Sequence, residues 1–404
     1  MKVLFINTSQ NSGGAAIAAD RLRKALNSKG IETEILVANK WIYKWHFLWE
    51  RLIIYINNFF SRKNLFKISI ANSGKDVTDL KVFKEADIIH LHWINQGMLS
   101  IQQLQKIIKV GKPIVWTMHD MWECTGICHY SYTCEGFKKE CGNCFFLKFP
   151  FKKDLSYKIF KQKQKLYSTT AEIQFVAVSK WLEKQAKESN LLKGKSVCVI
   201  PNTLSTTTFT IHDKVLSRKE LNFPVDKYII LFGAARIDDP IKGFSILIDA
   251  INYLLESNLM KKEQLHLVCF GNIKQEQTIL SSIPISYSYL GPVMPTLLAK
   301  VYSAADVTIS SSLYETFGQT IIEAQACGCL PVSFDNSGQT DIINHKKNGY
   351  LAKYLSIELL ADGIYWATTK AQIDRQSLRN EVIQKYSQEV IAQQYIQLYN
   401  KMIK

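Results

Sequence analysis

Short apolar runs recur along the chain, each followed by a turn and a stretch with helical spacing. Lys2–Asn7 reads as a buried strand and runs into the loop Ser9-Gln10-Asn11-Ser12-Gly13-Gly14-Ala15-Ala16. Ala18 to Leu26 has helical spacing, stops at Gly30 and leads to a second strand at Thr33–Val37. This β–loop–α–β order opens a doubly wound parallel sheet. Similar runs predict strands at Ile88–His92, Ile114–Met118 and Phe175–Val178. A second series follows at Tyr228–Phe232, His266–Phe270, Val307–Ser310 and Leu330–Phe334, with helices such as Phe244–Leu255 and Gln319–Ala326 between its members.

Two successive series imply an α/β protein of two Rossmann-like β/α/β domains, as the length of 404 residues also suggests. The expected division is 1–200 and 201–385. Pro201–Asp226, rich in Thr and Ser and bearing two prolines, is the linker candidate. Gln388–Ile403 is helical in pattern but follows no strand, so the tail 386–404 is expected to pack across the domain junction.

Charge separates the halves. Residues 1–200 carry 31 Lys and Arg against 16 Asp and Glu, whereas 201–404 carry 19 of each. A basic half favours an anionic partner. Val3-Leu4-Phe5-Ile6 is too short for a signal-peptide core, and no uncharged stretch approaches the roughly 18 apolar residues of a membrane span. The expected location is therefore the cytoplasm.

The most informative stretch runs from Ser310 to Ala324, where a strand ends in a turn and a helix begins at Gln319. A helix start offers unpaired N–H groups and a positive dipole end, which suit an anionic diphosphate. Gly318 permits close backbone approach. Glu315, before the turn, and Glu323, one turn into the helix, can accept hydrogen bonds from sugar or ribose hydroxyls. A solvated helix face explains Glu323 alone about as well. Glu-x-Phe-Gly-x-x-x-x-Glu-Ala-x-Ala-x-Gly-x-x-Pro-Val, residues 315–332, resembles the donor-site signature of the family 4 retaining glycosyltransferases. That resemblance implies the GT-B fold, two Rossmann-like domains facing each other across a cleft. The second domain would bind a nucleotide-diphosphate sugar through Glu315, Phe317, Gly318, Gln319 and Glu323, with Glu315 at the sugar and Glu323 at the ribose. Arg236, after Phe232-Gly233-Ala234-Ala235, and Lys242, before Gly243, resemble the family's cations that grip the diphosphate. Two cations can neutralise the leaving group where a metal otherwise would. No Asp-x-Asp occurs, and no cofactor is expected for catalysis. Asp335–Asp341 and Asn348–Leu351 resemble the family's closing loops.

In the first half, Gly13-Gly14 resembles the family's glycine-rich loop, whose amides face phosphates or acceptor, although a Gly-Gly pair by itself means only a turn. In His90-Leu91-His92-Trp93, strand alternation puts both histidines on one face. The resemblance places His92 at the donor sugar, as a polar contact and not a general base. His90 reads as a satisfied core histidine. Retention of anomeric configuration is likewise implied by the resemblance alone.

Cys124, Cys128, Cys134, Cys141 and Cys144 crowd the insert at 119–150. In a cytoplasmic chain this favours metal over disulfides. Cys128, Cys134, Cys141 and Cys144 are the candidate ligands of a structural zinc, the alternative being free thiols or a redox pair. The motif His-Asp-x-Trp-x-x-Thr-Gly-x-Cys-His-Tyr also resembles a bacterial capsule and exopolysaccharide subgroup, which implies a glycan or lipid-linked oligosaccharide acceptor. Aromatic and basic residues interleave from Phe145 to Lys165, and Trp45, Leu48, Trp49, Leu52, Ile53, Ile56, Phe59 and Phe60 fall at helical spacing. Either these form an ordinary core helix beside solvated lysines, or the first domain docks peripherally on an anionic membrane, the inner face of the plasma membrane. Competing readings are a sugar-nucleotide epimerase or phosphorylase on the same fold, or a non-catalytic binder of nucleotide sugar or nucleic acid. The set Arg236, Lys242, Glu315 and Glu323 argues against a nucleic-acid partner.

Overall fold

A computed structural model describes residues 1–10, 13–38, 41–168 and 172–403. It divides into two compact units, Met1–Pro201 with Ile391–Lys404, and Asn202–Val390.

The first unit contains β1 (Lys2–Asn7), β2 (Glu32–Val37), β3 (Ile88–Leu91), β4 (Ile114–Met118), β5 (Ile173–Ala177) and β6 (Val197–Val199). All pair in parallel, in the order β2-β1-β3-β4-β5-β6. Val3, Leu4, Phe5 and Ile6 of β1 are all buried, the unbroken apolar run of a strand covered on both faces. Helix Gly14–Asn27 packs Ala19, Leu22, Ala25 and Leu26 into this core, together with Ile391, Ala392, Tyr395 and Tyr399 of the last helix, Gln388–Ile403.

The second unit contains β7 (Tyr228–Arg236), β8 (Leu265–Asn272), β9 (Ser286–Tyr289), β10 (Val307–Ser310), β11 (Leu330–Phe334) and β12 (Tyr350–Ala352). Their order is β12-β11-β10-β7-β8-β9, again parallel. The chain winds outward from β7 in one direction and from β10 in the other. Between these strands lies the topological switch point, where ligands of open α/β sheets bind at the carboxyl ends.

The expected linker is not one. Leu204 and Phe209 are buried, and the segment forms the helix Lys214–Glu220. Arg218 of that helix donates to the carbonyls of Ala304, Val225 and Lys227 and pairs with Asp306 at 2.7 Å. Its Thr and Ser content reflects turns inside the second unit, not free chain.

Candidate functional site

The switch point brings two turns together. After β7 the chain makes a short turn, Pro240–Lys242, capped by the Asp239 carboxylate, which accepts from the Ile241 amide at 3.2 Å. Gly243 follows with φ 69°, and a Cβ there would lie 2.0 Å from the Ser311 carbonyl oxygen. Only glycine lets this turn lie against the chain leaving β10. Ser311 Oγ donates to the Gly243 carbonyl at 2.8 Å, and the Leu313 amide donates to the Ile241 carbonyl at 2.8 Å. The result is a contact between expected site residues: Lys242 Nζ stands 2.8 Å from Glu315 Oε2. Burial pulls the Lys242 ammonium down, but the Glu315 carboxylate outweighs it and holds the pKa above its usual value.

The backbone of Glu315 is fixed from the other side by the loop after β11. The Glu315 amide donates to Ser337 Oγ at 3.2 Å, and the Gly338 amide donates to the Glu315 carbonyl at 2.8 Å. Gly318, at φ 113°, then caps the helix Gln319–Ala326, whose first turn begins four residues beyond Glu315.

Other expected residues sit differently. Arg236 closes β7, is partly exposed, and donates from Nε to Asp238 at 3.0 Å. Phe317 is buried edge-on against Tyr386 at 5.7 Å, so its ring serves as packing and its backbone alone can face a ligand. Glu323 is 6% exposed and accepts a hydrogen bond from the buried Tyr302 hydroxyl at 3.2 Å. Tyr302 carries no sequence signal, because it lies on another helix, Pro295–Ala304.

In the first unit, His92 is buried and stacks on Phe5 at 5.0 Å. Its Nδ1 shares a hydrogen bond with His119 Nε2 at 3.0 Å, while among the described residues its Nε2 has no partner. Burial, with His90 and His119 adding to it, holds the His92 pKa well below the ordinary value; burial takes His119 down to about 4. His90 is bonded through both nitrogens, to Tyr399 at 2.7 Å and Thr117 at 2.8 Å. Sequence reasoning missed Asp120 as a hub. It accepts from Trp93 Nε1 at 2.8 Å and the Trp122 amide at 2.7 Å, and pairs with His129 at 2.7 Å. Burial opposes ionisation of Asp120, yet His129 and these donors hold its pKa low. The His-Asp-x-Trp and Cys-His-Tyr parts of the motif are thereby one folded unit. Gly13 begins its helix at φ 89° with Gly14 following it; Asn11 and Ser12 lie outside the described residues.

Two family models cover the chain in succession. One described as "Glycosyltransferase Family 4" matches residues 12–208, and one described as "Glycosyl transferases group 1" matches residues 213–385. The chain belongs to the family 4 glycosyltransferases. An uncharacterized glycosyltransferase of Methanocaldococcus jannaschii is 26% identical over 348 residues, 80% of this chain and 85% of that protein. Shorter matches, over less than half of each relative, run to D-inositol 3-phosphate glycosyltransferases and a putative colanic acid biosynthesis glycosyl transferase of Escherichia coli. Sucrose-phosphate synthase from Thermosynechococcus elongatus shares the fold with a TM-score of 0.71 and 17% identity, covering 99% of this chain and 98% of that one. The Anabaena protein HepE in complex with UDP and glucose aligns with a TM-score of 0.63 at 16% identity, over 99% and 100%. The fold is GT-B, and this glycosyltransferase carries its Lys242–Glu315 pair where the strand order of the second, parallel sheet reverses.

The insert cysteines of the glycosyltransferase share surroundings without forming an assembled centre. Cys128, Cys134, Cys141 and Cys144 line one small cavity that is partly open to solvent. The Gly126 amide donates to Cys141 Sγ at 3.3 Å and the Gly136 amide to Cys134 Sγ at 3.4 Å. Burial pushes the Cys141 thiol up to about 12 and the Cys144 thiol up to about 11. Among the described residues no three His, Cys, Asp or Glu side chains stand close enough to hold one ion, so the expected zinc site is not preformed. The Tyr157–Lys165 stretch also departs from its reading as basic surface. Phe160 and Lys163 are fully buried, with Lys163 Nζ donating to the carbonyls of Trp122 at 2.6 Å and Thr125 at 3.0 Å and lying 3.2 Å from the Trp122 ring centroid. Burial lowers the Lys163 pKa to about 7.

Proposed function

We propose that the enzyme transfers a hexosyl group, with retention, from a nucleoside-diphosphate sugar to a glycan or lipid-linked oligosaccharide acceptor in surface polysaccharide synthesis. The observation that carries the donor half is the Lys242–Glu315 contact beside the Gln319–Ala326 helix start. A diphosphate at this turn takes Lys242 and Arg236 as counterions and meets the first-turn amides. Glu315 is then left to a sugar hydroxyl, and Glu323, oriented by Tyr302, to the ribose. Charge building on the leaving diphosphate is stabilised by the same cations. His92 Nε2, buried and unpartnered among the described residues, supplies a polar contact to a substrate group.

UDP is the first nucleotide to try, since HepE is described with UDP and glucose. The surface-polysaccharide context rests on the insert motif and on the partial match to the colanic acid enzyme. Thermal shift against a panel of nucleotide sugars, followed by mass spectrometry and NMR of the product on lipid-linked acceptors, tests this reading. A donor that stabilises the protein and yields a product of unchanged anomeric configuration supports it. An inverted product, or an epimerised donor with no transfer, overturns it.

A further inference from the structure

The helix Trp41–Asn57 is built inside out. Trp41, Trp45, Leu48, Trp49, Leu52 and Ile56 fall on one face by their spacing, and all are exposed, Trp41 by 68% and Trp45 by 59%. The buried face carries charge beside Tyr43 and Ile54: Glu50 is 0% exposed and pairs with the buried Arg51 at 2.9 Å. Glu50 Oε1 accepts from the Ile70 and Ala71 amides at 2.7 and 2.9 Å, and Arg51 donates to the Leu65 and Ile68 carbonyls. The helix thus uses its ion pair to hold the 65–71 segment and leaves its indoles outside. Water solvates such a stripe poorly, and a contiguous apolar face of this kind marks an interaction site.

The stripe continues across neighbouring chain. Phe59 and Phe60 follow the helix at φ 50° and 55°, a backbone region that bulky residues avoid, and both rings are exposed. Phe59 meets Phe149 edge-on at 4.9 Å, and the Lys148 amide donates to Asn58 Oδ1 at 2.6 Å, which joins the 145–153 segment to the helix end. Phe149 and Phe151 are exposed as well. Cations accompany these residues along the chain, with Lys44 Nζ 5.6 Å from the Trp41 ring centroid and Lys148 Nζ 5.2 Å from that of Phe149. Lys44, Arg62, Lys63 and Lys67 are exposed on one segment, and Lys148, Lys152 and Lys153 on the other. Residues 145–153 contain no acid, and the single acid of 41–67 is the buried Glu50.

We propose that this face docks on an anionic bilayer, with the Trp41–Asn57 helix lying in the interfacial plane. Indoles and phenyl rings enter the headgroup boundary, and the surrounding lysines meet lipid phosphates. A second copy of the chain fits less well, because docking two such faces would oppose like charges. Among the described residues no helix is long and apolar enough to cross a membrane, so the attachment is peripheral. The proposal stands on this surface alone and is independent of the donor site.

The test is flotation of the full chain with vesicles of phosphatidylcholine alone or mixed with phosphatidylglycerol. Recovery is expected to be ~10-fold greater on the anionic vesicles and to fall as salt rises. Trp45→Ser with Trp49→Ser lowers recovery on anionic vesicles by about 10-fold, and charge reversal at Lys148, Lys152 and Lys153 removes the lipid preference. Unchanged melting temperature and nucleotide-sugar response in both variants show that the fold and the donor site persist. Equal recovery on both vesicle types overturns the proposal, as does flotation that neither variant alters. Sedimentation without lipid adds a further check: a dimer dissolved by the tryptophan variant would assign the face to a second copy instead.

Discussion

Lys242 and Glu315, 73 positions apart in sequence, meet side chain to side chain at 2.8 Å, one on the turn after β7 and the other on the turn after β10. The pair is partly exposed, so it adds under ~1 kcal/mol to stability. Its worth lies in binding. Lys242→Met is expected to raise the donor KM about 10- to 100-fold, the loss of one charge-assisted hydrogen bond of ~1.5–3 kcal/mol. Glu315→Gln is expected to lower kcat/KM by a similar factor while the melting temperature stays within a few degrees. Steady-state kinetics and thermal denaturation of both variants check this. An unaltered donor KM in Lys242→Met would remove the lysine from the diphosphate site.

Gly243 makes that meeting sterically possible. Gly243→Ala places a methyl 2.0 Å from the Ser311 carbonyl oxygen in a left-handed residue. The turn must then shift, at ~1–3 kcal/mol of stability. Donor binding is expected to weaken together with melting temperature, whereas Gly111→Ala, at a left-handed position with open space around it, costs stability but leaves the donor KM unchanged. Urea denaturation paired with donor titration separates the two outcomes.

Burial keeps His92 and His119 neutral, His119 with a pKa of about 4. Because both folded pKa values lie below the ordinary imidazole range, neither ring gains a proton as pH falls through ~6.5. The profile of kcat/KM against pH is therefore expected to show no histidine limb between about pH 5.5 and 8. A limb near 6.5 that vanishes in His92→Gln would show the ring titrating in the free enzyme.

For the insert, the four-thiolate reading expects one zinc per chain, with Cys128, Cys134, Cys141 and Cys144 drawn together from the walls of their shared cavity. Elemental analysis of the purified protein and thiol titration before and after chelation measure it. A metal-free protein whose insert thiols titrate without chelator retires that reading.

The central strands were legible because Val3-Leu4-Phe5-Ile6 of β1 and Ile114-Val115-Trp116 of β4 are unbroken apolar runs, while β10 and β11 set Val307, Ile309, Leu330, Val332 and Phe334 among small polar residues that are buried with them. β9, Ser286–Tyr289, was not, since it is a polar edge strand with one neighbour. β6 and β12 are three residues each, too short for a periodic signal. At the site, glycines and acids stood out in sequence. The Tyr302 contact to Glu323 and the Asp120–His129 pair did not, because each joins elements that only folding brings together. Spacing alone gave the Trp41–Asn57 helix an apolar stripe without saying whether it faced inward. The Glu50–Arg51 pair, which decides that question, is indistinguishable in sequence from a surface pair.

The first unit is not contiguous in the chain, since its core is closed by Ile391, Ala392, Tyr395 and Tyr399. The hydroxyls of Tyr399 and Tyr395 meet His90 and Thr117, so a fragment ending at Pro201 would bare apolar core and leave those buried polar atoms unanswered. During synthesis the amino-terminal sheet must therefore wait, incomplete, while some two hundred further residues leave the ribosome. The half made first is the half finished last.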